Sequence, residues 1–74
     1  MPTVMNAANE VAVAAFLAKQ IPFTAIFETI DFAMKTIESV AADSLDVVLA
    51  TDIEARTVAH QYIGSKFQPK KQVS

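Results

Sequence analysis

Few residues in this chain have the types and spacing that could do chemistry. There is one histidine, His60, and there are eight carboxylates and no cysteine. A side-chain nucleophile needs a base within hydrogen-bond reach, and that base needs a third group to orient it. His60 has Arg56 one helical turn before it, and a neighbouring cation disfavours the protonated imidazole. Of the positions three or four residues away, only Thr57 carries a hydroxyl, and none carries a carboxylate that would hold the ring. His60 therefore reads as a surface histidine. Without thiolates, one imidazole and scattered carboxylates do not make a zinc site. Glu28, Asp31 and Glu38 share a helix face with Lys35, which reads as a solubilising face rather than an acid–base pair. A phosphate cradle needs glycines before a helix, and Gly64 is the single glycine. No catalytic, cofactor-binding or metal-binding residue is assigned.

One polar group resists that bland account. Asn6, Asn9, Glu10 and Gln20 fall on the same side of the first helix as Val13, Phe16 and Leu17. If that side is covered, the polar groups need partners. Two readings stand: the N-terminal turn is exposed, or it bonds to a segment outside this chain. Phe32 poses the same choice, because it projects from the polar side of the second helix, away from the domain's own core. It is either a tolerated exposed aromatic or a contact for a partner. Asn6, Asn9, Glu10 and Phe32 are the candidate inter-domain contacts.

The elements that carry these residues are helical. The chain has 74 residues, one domain at most, and 53% of them are hydrophobic. So small a body is marginal without disulfides or metal, so either its helices pack unusually well or some apolar surface is meant for a neighbour. Period-two alternation is missing, and alanine is the commonest residue. The spacing predicts a first helix from Asn6, its N-cap, to about Gln20, with Thr3 as an alternative start and Pro22 as the terminator. Its bulky face is Val13, Phe16 and Leu17. Its smooth face is Ala7, Ala8, Val11, Ala14, Ala15 and Ala18, against which another helix could approach closely. A helix apolar nearly all round is a central one.

A second helix is expected from an N-cap at Thr24 to about Val40, with Ile26, Phe27, Ile30, Ala33, Met34, Ile37 and Ala41 on its buried stripe. Asp31 and Lys35 are placed to pair one turn apart. After a linker at 42–44 comes a short helix over about 45–50. Thr51-Asp52-Ile53-Glu54 then spells a capping box that opens the last helix, 52 to about 66, with Ala55, Val58, Ala59, Tyr62 and Ile63 inward. Asp52 and Arg56 are placed to pair. Met5, Met34, Phe16, Phe23 and Phe27 read as core. The fold class is all-α: a small bundle of three main helices plus one short one, of four-helix-bundle type, over residues 1–67, with a disordered tail over 68–74.

Charge and hydropathy exclude further classes. Residues 1–60 hold three basic groups against eight acidic ones. An acidic body argues against nucleic-acid binding. The apolar run around Val11 is closed by Lys19 and Gln20, too soon for a membrane span, and no secretory signal is expected.

The run Asn6-Ala7-Ala8-Asn9-Glu10-Val11-Ala12-Val13-Ala14-Ala15-Phe16-Leu17, then Gln20-Ile21-Pro22-Phe23-Thr24-Ala25-Ile26, closely resembles the C-terminal helical domain of the 1-deoxy-D-xylulose 5-phosphate reductoisomerase family. Val47-Val48-Leu49-Ala50-Thr51-Asp52 with Ala55-Arg56 and Val58-Ala59 resembles that family's last helices. The Asn-Ala-Ala-Asn-Glu segment is the most specific part. The resemblance runs to about Ile63. It implies a parent enzyme that converts 1-deoxy-D-xylulose 5-phosphate to 2-C-methyl-D-erythritol 4-phosphate in isoprenoid biosynthesis, as both isomerase and oxidoreductase. It also implies NADPH and Mg2+ or Mn2+ as cofactors, a homodimer, and a cytoplasmic or plastid location. The family's nucleotide, metal and phosphate residues lie in other domains, so none is carried onto this chain.

The expected function is thus a non-catalytic structural domain whose partners are the remaining domains of its parent. With former interface surface exposed, the isolated chain is expected to self-associate. The alternative, from another class, is a free-standing helical interaction module that offers an apolar face to a partner helix. A self-sufficient small enzyme ranks third.

Overall fold

The computed structural model describes residues 3–37 and 44–67. Three α-helices follow one another there: α1 (Thr3–Leu17), α2 (Thr24–Thr36) and α3 (Leu45–Lys66). There is no strand among the described residues. The all-α bundle is as expected, but the separate short helix is absent. The second helix's continuation through Glu38 to Val40, Ala41 on its stripe, most of the linker and the 68–74 tail lie outside the described residues.

The first helix begins at Thr3, the earlier of the two starts the sequence allowed, so Asn6 is not its cap but an exposed residue inside it. Pro22 does not end this helix. It ends at Leu17, where Lys19 enters the left-handed region at φ 64°. The Gln20 N–H then donates to the Ala15 carbonyl and the Lys19 N–H to the Phe16 carbonyl, both at 2.9 Å. That pair of bonds is a Schellman closure, which satisfies carbonyls left orphaned at the helix end. Glycine usually fills the left-handed position because it has no Cβ to clash; here lysine does.

Pro22 instead helps to start α2. Its carbonyl accepts from the Ala25 N–H at 3.0 Å, and Phe23 caps the helix with backbone alone. Thr24 is therefore the first helical residue rather than the cap. The helix stops at Thr36 because Ile37 is extended (φ −100°, ψ 120°).

α3 is one uninterrupted helix of 22 residues. Its cap is Ser44, whose Oγ accepts from the Val47 N–H at 3.2 Å. The capping box at Thr51 and Glu54 is not used. A capping box saves the orphan donors of a helix that begins there, but a helix already begun at Ser44 has no such orphans, and extending it costs less than nucleating a second one. Neither glycine nor proline falls between 45 and 54 to force a break.

The centre is built from methyl-sized side chains. Ala7, Ala8 and Ala12 of α1, Ala25, Thr29 and Ala33 of α2, and Ala55 and Ala59 of α3 are completely shielded from solvent. Small residues at facing positions let helix axes approach closely. Val4, Val11, Ile21, Ile26, Ile37 and Ile63 complete the core around them. The Thr29 hydroxyl is satisfied within its own helix, donating to the Ala25 carbonyl at 2.8 Å. This core differs from expectation on α2. Its buried line runs through Ala25, Thr29 and Ala33, while Phe27 and Met34 face outward. The positions of α2 that are completely shielded hold only small side chains, and the Phe27 ring lies outside them.

Candidate functional site

The expected contact residues are brought together only in part. Asn6, Asn9 and Glu10 are all exposed on α1. Among the described residues, Glu10 is the one of the three with a side-chain partner: its Oε1 accepts from Arg56 Nη2 at 2.7 Å, which ties α1 to α3. Arg56 also donates from Nε to Asp52 Oδ2 at 2.8 Å, the pair expected from spacing. These carboxylates, Asp52 first and Glu10 second, hold the guanidinium more firmly protonated than an ordinary arginine. Glu10 thus serves an inter-helix bond rather than the helix dipole, from which a start at Thr3 removes it. The second expected pair also forms, with Lys35 Nζ 3.0 Å from Asp31 Oδ2.

The same contact sets the direction of the helices. Glu10 stands beside Arg56, and further along Ala14 and Ala18 face His60 and Gly64 across an open groove. α3 therefore runs parallel to α1, offset by about 46 residues in the sequence. His60 is exposed at the rim of that groove, and among the described residues no group of three or more His, Asp or Glu side chains is placed to hold a metal. The donor set does not fit a divalent ion: the two carboxylates that converge, Glu10 and Asp52, already enclose a fixed cation.

Phe32 finds a partner within the chain. Its ring stacks on Tyr62 at 4.7 Å between centroids, with an interplanar angle of 27°. Part of the ring stays open to solvent, so a contact with another domain is compatible with this stack. The other phenylalanines depart from the core reading. Phe23 and Phe27 are 58% and 59% exposed, joined edge-on to each other and, through Phe23, to the half-buried Phe16. Leu17 is exposed beside them, and Leu45, Leu49 and Ile53 form a second exposed line on α3.

The sequence reading placed the Phe16–Phe23–Phe27 residues inside and did not single out Leu45 or Leu49. The available signal for the latter was their spacing, with Ile53, at every fourth residue, off the stripe through Ala55 and Ala59. No local signal announces the Glu10–Arg56 bond, whose partners lie 46 residues apart.

Comparison with known proteins agrees with these features. The chain is 47% identical over 64 residues to the 1-deoxy-D-xylulose 5-phosphate reductoisomerase of Acinetobacter baumannii, covering 86% of this chain and 16% of that protein. It is 48% identical over 61 residues to the Idiomarina loihiensis enzyme of the same name, covering 82% and 15%. It is 46% identical over 79 residues to that of Nitrosomonas europaea, covering 100% and 19%. The chain thus spans less than a fifth of the length of the curated relatives it matches. Residues 1–58 match the model of the DXP reductoisomerase C-terminal domain. A helical bundle with that match, closed by a Schellman turn and held by small residues at its centre, belongs to the DXP reductoisomerase C-terminal domain family.

Proposed function

We propose that this bundle is a non-catalytic brace, the C-terminal structural domain of an enzyme that rearranges and reduces 1-deoxy-D-xylulose 5-phosphate to 2-C-methyl-D-erythritol 4-phosphate. The observation that carries this reading is the set of large apolar side chains turned outward, Leu17, Phe23, Phe27, Leu45 and Leu49, on a chain a fraction of its relatives' length. Large apolar side chains left exposed in clusters on a small body mark interfaces. Asn6, Asn9, Glu10 and Phe32 are further polar and aromatic contacts to the other domains. The parent enzyme uses NADPH and Mg2+ or Mn2+, held by its other domains, and acts as a homodimer in the bacterial cytoplasm. No helix among the described residues is long and apolar enough to cross a membrane.

The test is reconstitution. NADPH oxidation is followed with 1-deoxy-D-xylulose 5-phosphate and Mg2+, first for the chain alone and then for the chain joined to the Acinetobacter baumannii enzyme in place of its matched region. The joined protein turns over and the chain alone does not. Turnover by the chain alone overturns the proposal, as does a folded but inactive joined protein.

A further inference from the structure

We draw no further inference here: the strongest candidate, the exposed apolar corner that Leu17, Phe23 and Phe27 form where α1 turns into α2, is an unpartnered face, and nothing in the structure shows what covers it.

Discussion

Arg56 on α3 reaches Glu10 on α1 at 2.7 Å, and among the described residues this is the one side-chain bond between helices. Both partners are partly exposed, so ions in solution weaken their attraction. Glu10→Gln is expected to lower the melting temperature at low ionic strength, and the difference should close as salt approaches about 1 M, where screening acts within a few ångströms. Thermal melts of both proteins across a salt series check this. Arg56 is held protonated above its ordinary range, so stability from that charge is complete at lower pH and is lost only as pH rises through the folded value. Its contribution is therefore flat from neutrality to about pH 10.

The two rival caps of α3 respond differently to alanine. Ser44 accepts a backbone bond, so Ser44→Ala costs about 1 kcal/mol. Thr51 lies inside the helix without a cap to serve, so Thr51→Ala is neutral or gains up to about 0.5 kcal/mol from helix propensity. Urea denaturation of the two variants measures both. A larger loss at Thr51 than at Ser44 would restore the broken helix that the sequence motif implied.

Glycine is missing where the backbone favours it and present where it does not. Gly64 is inside α3, with nothing within 4 Å of where a Cβ would stand. Gly64→Ala should stabilise the chain by roughly 0.5–1 kcal/mol. Lys19 occupies the left-handed position after α1, and Lys19→Gly should add about 1 kcal/mol by removing its strain. The midpoint of urea unfolding rises in both variants, and in the double variant the gains add, because the sites share no bond.

The alanine-lined centre tolerates no enlargement. Ala12→Leu forces α1 away from its neighbours and should cost at least about 1–3 kcal/mol, the range for overpacked cores. Ala14→Leu, at an exposed position of the same helix, should cost under about 0.5 kcal/mol. Near-equal losses in the two variants would show that the helices are not in close contact.

Periodicity carried the main helices and, in Ala7, Ala8, Val11 and Ala15, the buried part of the smooth face of α1; Ala14 and Ala18, expected on that face, are exposed. The Asn6-to-Glu10 run carried the family for a local reason: it is contiguous. What escaped were the features set by competition between distant parts. The Thr51 box is a sound local signal, overridden by a cap seven residues earlier whose helix propagates through it. Phe23 and Phe27 are apolar and so read as interior, yet interior space went to alanine once the helices approached. Asn6 and Asn9 are exposed, one of the two readings the sequence left open, and the Phe32–Tyr62 stack joins residues too far apart in the chain for a local pattern to announce.

The buried Thr29 hydroxyl bonds to its own helix rather than to α1 or α3. Its consequence is mechanical. Among the described residues α2 has no side-chain hydrogen bond or ion pair to either neighbour, so its rotation and sliding are governed by shape and the Phe32–Tyr62 stack, while α1 and α3 are joined by an ion pair. In a larger assembly, α2 is the helix free to trim its seat against an adjoining surface without breaking a polar link.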